Sequence, residues 1–219
     1  MLLAKPADQA AICHALSSPR AGTYIAASGG NLVKALALYG WNARVSAALM
    51  LPSHFAEVTT RNAVSEGLTA VYGVDWPWNA TFTGSLPSKT GPAYNPQKDL
   101  VATRKRHATT GSVVTELKFA FWQSMFTSRH DVRVWDGQII ALFPNASGIA
   151  ARQLRGQVYT DLDAVRKLRN RVAHHEPVFN RNLGEDLSRL LELIELRCGP
   201  TAAWVRSMEG VGALLTQRP

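Results

Sequence analysis

Cysteine is scarce in this chain. Cys13 and Cys198 stand far apart and form no C-x-x-C pair, so nothing suggests a disulfide framework. They read as two reduced core residues of a cytoplasmic protein. Long apolar runs are also missing. Charges interrupt every hydrophobic stretch well short of a membrane span, and Met1 to Pro6 carries no extended apolar region of the secretory type. The expectation is a cytosolic protein without a membrane partner. Strand-like alternation and internal repeats are absent as well, which leaves helical periodicity as the organising signal and an all-α fold as its consequence. Acidic residues are under-represented: 16 Asp plus Glu face 24 Lys plus Arg, mostly arginine, for a net charge of +8. That balance favours a polyanionic partner, nucleic acid before membrane.

What remains is 219 residues with 46% hydrophobic content, ample for a buried core. A first helix is expected from Ala7 to Leu16. A second follows, with Ser18 as N-cap and Pro19 in its first turn, ending at Ser28-Gly29-Gly30. Asn31 opens a longer segment whose buried side is marked by Leu32, Leu36, Tyr39, Val45 and Leu49. Leu51-Pro52-Ser53 is expected to break it, with Ser53 capping a further helix from His54 to about Tyr72. That helix carries Phe55, Val58, Asn62 and Ser65 on one face, and Glu57 precedes Arg61 at the spacing of a helix ion pair. Residues 73–97, rich in Gly, Pro, Ser, Thr and Asn, read as a long exposed loop within a single domain spanning 1–219. Beyond it lie a helix near Lys98 and the basic cluster Arg104, Lys105 and Arg106. An aromatic helix from Val113 to Phe126 and a short one from Trp135 to Leu142 come next.

The most informative stretch closes a helix expected over about 149–176. Leu154, Val158, Leu162, Val165, Leu168 and Val172 recur at helical spacing and mark its core side. Val165 to Pro177 adds arginines, an amide and two histidines to that scaffold. Arginine presents a planar fork of donors suited to phosphate oxygens, and histidine titrates nearest neutral pH. At steps of four, Arg166, Asn170 and His174 share a face, while Arg169 is offset from His174 by about 140°. His175 continues the spacing of the apolar stripe and is expected on the core side. Pro177 bars further helix and pushes Glu176 toward an extended conformation. A metal reading of His174, His175 and Glu176 is weak, because adjacent histidines point to different sides of a helix.

Arg169-Asn170-x-x-x-His174 resembles the R-N-x-x-x-H signature of HEPN ribonucleases. The wider Leu168 to Asn180 block resembles their Abi-like (abortive infection) branch. Leu38-Tyr39-Gly40-Trp41-Asn42, Glu57-x-x-x-Arg61-Asn62, Phe119 to Phe126 and Phe143-Pro144 are similar to blocks of the same family in the same order. The resemblance implies a helical bundle that dimerises, so that two such motifs meet in one cleft and cut RNA without a metal or other cofactor. Arg169 and His174 then take the catalytic positions, and Asn170 orients them. Arg166, Arg171, Arg61, Asn62, Arg104, Lys105 and Arg106 are candidates for binding RNA phosphates. A toxin or phage-defence effector, with an RNA or protein antitoxin as a possible partner, is the implied role. The alternative is a non-catalytic RNA-binding HEPN module that serves as sensor or neutralising partner.

Overall fold

The computed structural model describes residues 5–88 and 90–219, and every regular element among them is helical. Helices α1 (Pro6–Leu16) and α2 (Ser18–Ala27) lead into α3 (Leu32–Tyr72), a single helix of 41 residues against which most other elements pack. The cap of α2 is Ser17, one residue before the expected Ser18. Asn31 does open α3, its side chain accepting from the Lys34 amide at 3.0 Å.

The break expected at Leu51-Pro52-Ser53 does not occur, and Pro52 lies inside α3. A helix-interior proline costs about 3 kcal/mol or more, since it removes one ladder bond and crowds the preceding turn. Packing offsets that cost here. Pro52 is buried between Leu49 and Ala56, which are both fully buried, and the Ser53 hydroxyl donates back to the Leu49 carbonyl at 2.7 Å. The inner face downstream also differs from the expected one. Ala56, Ala63, Val64 and Leu68 are fully buried, whereas Asn62 is exposed and Phe55, Val58 and Ser65 only partly covered. Small side chains let neighbouring helices come close. A Cβ on Gly67 would lie 3.0 Å from Leu142 Cδ1 and 3.6 Å from the Trp135 ring.

The long exposed loop expected at 73–97 is structured in its first half, while the described residues of 86–95 form no regular element. A 3-10 turn (Trp76–Trp78) and α4 (Ala80–Ser85) occupy the first half, and Trp76, Phe82 and Leu86 are buried. Asn79 caps α4 by accepting from the Phe82 amide, and the Trp76 indole donates to Ser65 Oγ at 3.2 Å. Trp76 and Phe82 pack with Tyr72, Phe121 and Trp122 in one aromatic cluster. The surrounding Gly, Ser and Thr mask these few anchors in any reading by composition.

Helix α5 (Pro96–Arg104) precedes α6 (Thr110–Glu116) and α7 (Phe119–Met125), which replace the one helix expected from Val113 to Phe126. The chain is extended at Leu117 and Lys118. One straight helix would spread Val113, Leu117, Phe119, Phe121 and Trp122 around its circumference, and the break lets all five be buried. A π-helical turn (Asp131–Trp135) runs into α8 (Asp136–Leu142), and then come α9 (Ala151–Ala173) and α10 (Leu183–Arg197). Helices α11 (Gly199–Met208) and α12 (Val211–Leu215) close the chain, with the Glu209 carboxylate accepting from the amides of Val211 and Gly212. Neither cysteine is a core residue. Cys13 and Cys198 are unpaired and partly exposed. Among the described residues, no helix is long and apolar enough to cross a membrane.

His130, in the turn before α8, is 1% exposed, and its Nδ1 has no hydrogen-bond partner. Burial, followed by the charges of Arg129 and Arg133, pulls its pKa down to about 4. Because the unfolded chain takes up this proton near pH 6.5, the folded state is penalised as the pH falls from 6.5 toward 4, and stability is full above that window. The expected loss is about 2–3 kcal/mol. Urea unfolding at pH 7 and pH 4.5 should show it, and His130→Gln should flatten the slope. Asp163, held down to about 2 by hydrogen bonds from Lys167 and Arg166, gives up its stabilisation only below this window.

Candidate functional site

Helix α9 spans a narrower range than 149–176, but its core face is the expected one. Leu154, Val158, Leu162, Val165, Leu168 and Val172 are all buried against the rest of the bundle. The helix ends at Ala173, four residues before Pro177, through hydrogen bonding of the backbone. His174 occupies the C-cap, the His175 amide donates to the Val172 carbonyl at 3.0 Å, and the Glu176 amide donates to the Arg171 carbonyl at 2.8 Å. That pair of bonds is the Schellman termination, which needs a residue of positive φ at its centre. His175 fills the position with φ 55. Glycine avoids the Cβ penalty that a histidine meets there, so the neighbourhood must hold it. Arg20 of α2 does so, donating from Nη1 to the His175 carbonyl at 2.7 Å.

This termination overturns the expected place of His175. Its side chain is exposed rather than on the core face. The left-handed residue turns the chain away from the helical path, so spacing along the apolar stripe no longer says where the imidazole goes.

His174 and Asn170 are both exposed, and neither side chain has a partner among the described residues. Arg169 is 41% exposed and sits 3.7 Å from the Glu57 carboxylate of α3. Glu57 therefore pairs across helices with Arg169 and not, as its spacing suggested, with Arg61. Arg61 Nε is buried without a hydrogen-bond partner, and Asn62 faces solvent one residue on. Arg171 is tied to Glu176 at 3.2 Å.

The remaining phosphate-binding candidates divide. Arg166 donates to Gln123 Oε1 at 2.6 Å and to Asp163 at 2.9 Å, so its fork braces α9 against α7. Arg104 donates to the Pro77 carbonyl and to Thr83 Oγ1, stapling α5 to the 3-10 turn and α4. Lys105 and Arg106 are exposed in the turn just past α5, which itself packs with α4, α6 and α7. No cluster of three or more His, Cys, Asp or Glu among the described residues is arranged to hold a metal ion.

Sequence reasoning missed the supports of this helix end. The Asn42 side-chain oxygen, buried on α3, accepts from the amides of Val178 at 2.8 Å and Phe179 at 3.1 Å. It thereby fixes the chain that leaves the motif. A lone asparagine within an apolar helical segment, Leu38-Tyr39-Gly40-Trp41-Asn42, was the available signal. Asn42→Ala leaves two buried amides unsatisfied and is expected to cost about 2–4 kcal/mol of stability. Asn42→Asp, which keeps the accepting oxygen, should recover part of it. Denaturant titration of the three proteins checks this.

Neither a protein-family model, a curated protein nor a solved structure matches the chain.

Proposed function

We propose that the protein is a metal-independent endoribonuclease of the HEPN type, acting as a toxin or abortive-infection effector. The observation that carries this reading is the free, exposed state of His174 at the end of α9 and of Asn170 about one turn before it, next to a half-exposed Arg169, on a chain of net charge +8. Cleavage by the RNA's own 2′-hydroxyl needs that proton removed, the 5′-oxygen protonated and the charge on the phosphorane stabilised. Arg169 serves the charge and His174 one proton transfer. A single imidazole cannot easily do both transfers in one step. A second copy of the chain, bringing its own α9 end to the same phosphate, supplies the missing partner, and the working enzyme is on this reading a homodimer.

The Glu57 carboxylate beside Arg169 occupies the catalytic cation in a single isolated chain. A phosphate entering that position meets a competing anion, and Arg169 must exchange Glu57 for the substrate before it can act. The second reading is an RNA-binding module without catalysis that would hold RNA through exposed cations elsewhere, Lys105 and Arg106 among them. The two readings separate on one assay. Purified protein is incubated with total cellular RNA in the presence of EDTA, and cleavage is followed alongside binding. The nuclease reading requires new RNA ends. Binding without new ends supports the module, and intact, unbound RNA defeats both.

A further inference from the structure

A groove of about 650 Å³ opens beside the end of α9, between α1, α2 and α3. Its floor is apolar and made of small residues, among them Ala43, Ala47 and Val172, and the half-exposed Met50 borders it. The volume falls within the range of small-molecule sites, which combine an apolar lining with a few fixed polar groups.

Its polar lining is Arg20, Tyr24, Tyr39, Asn42, Ser46 and His175, and no Asp or Glu lines it, so Arg20 is its one permanently charged side chain. Arg20 has no ion-pair partner among the described residues. Its single hydrogen bond, from Nη1 to the neutral His175 carbonyl, anchors the guanidinium without cancelling its charge. Nε and Nη2 remain as donors on a side chain already held in place, an arrangement suited to a planar or tetrahedral anion. Tyr24 is buried against Tyr39 and Phe179, with ring centroids 4.6 and 5.2 Å away, and burial keeps its hydroxyl protonated. Most arginines elsewhere on the molecule are spent on carboxylates or on protein carbonyls, Arg155, Arg166, Arg181, Arg189 and Arg197 among them.

We propose that this groove binds a small amphipathic anion, its acidic head at Arg20 and its apolar body along Ala43, Ala47 and Met50. Binding of this kind does not depend on RNA cleavage, and it can be tested on the full chain whether or not the nuclease reading holds.

Decanoate below its micellar range is the probe, with decanol and inorganic phosphate as controls, measured by titration calorimetry. Decanoate should bind at one site per chain. Arg20→Gln should weaken it at least about tenfold, as loss of a charged hydrogen bond implies. Ala47→Trp, at an exposed position where the larger ring fills the groove without disturbing the core, should abolish binding while leaving thermal unfolding unchanged. Decanol binding as tightly as decanoate would remove the role of the anion. Phosphate binding as tightly would remove that of the apolar body. Decanoate binding that survives Ala47→Trp, or fails in the wild type, overturns the proposal.

Discussion

Replacing His174 with Ala is expected to lower RNA cleavage by about 10²–10⁴-fold, the span associated with losing one positioned proton-transfer group. His174 is exposed and makes no side-chain contact that holds the fold, so the variant should unfold at the same temperature as the wild type. That separation makes the test sharp. Arg169→Ala should produce a comparable loss. It also frees Glu57, which leaves a partly buried carboxylate, 22% exposed, without its cation, so a modest stability change accompanies it. Arg169→Lys keeps the charge but not the fork, and should restore stability more fully than cleavage. A mixture of His174→Ala and Arg169→Ala chains adds a further readout. If two copies share one cleft, that mixed dimer still holds a single His174 and should stay impaired, whereas mixing His174→Ala with wild-type chains should lower activity by more than dilution alone. Full cleavage by both single variants would end the nuclease assignment of these residues.

The second large effect concerns stability. Arg155 of α9 meets Asp131 of the π-helical turn, Nε to Oδ1 at 2.9 Å, and also donates to the Phe126 carbonyl at 3.3 Å. Their side chains are 17% and 9% exposed. A pair this far from water contributes little net stability as a pair, because desolvation of both charges offsets their attraction. Breaking it is another matter. Arg155→Met strands the Asp131 carboxylate in a buried site and is expected to cost about 3–5 kcal/mol, measured by urea unfolding at pH 7. Adding Asp131→Asn to the same chain should return much of that loss, since no uncompensated charge remains. If Arg155→Met costs no more than the double variant, the pair is not coupled as described. The pair lies toward the N-terminal half of α9, away from the motif end.

How far local pattern reaches is clear from two stretches of the chain. On α9 the periodic residues from Leu154 to Val172 are all buried, because a regular helix with one packed side leaves a regular trace. On α3 the same kind of pattern points to a break at Pro52 and an inner face of Phe55, Val58, Asn62 and Ser65, yet the helix runs through and buries another side. There most of the buried side is small, with Ala56, Thr60, Ala63 and Gly67 beside Val64 and Leu68, and this weak hydrophobic signal hides close helix packing. The first half of 73–97 departs from a loop for a related reason: Trp76 and Phe82 anchor it in the core, and flexible-looking neighbours outnumber them.

The charged side chains divide in the same way. Residue type identified Arg166 and Arg104 as phosphate donors in waiting, but both are hydrogen-bonded inside the bundle, to Gln123 and Asp163 and to Pro77 and Thr83. A long flexible cation goes to whichever acceptor the fold brings within reach, and spacing along the chain carries no record of acceptors on other helices. Arg20 shows the reverse. Nothing local marks it, but its anchoring on the His175 carbonyl makes it the charged element of a groove.

The helical nature of the chain, its basic balance and the motif helix with its packed face were determined by sequence, because each is a local or additive property. Three things at the motif end were decided by tertiary structure. The helix stops at Ala173, since a left-handed His175 is held there by Arg20. His175 leaves the core face as a consequence of that stop. Arg169 rests beside Glu57, because α3 crosses α9 at that level. Each depends on contacts between residues distant in the chain, whose free energies no periodicity records.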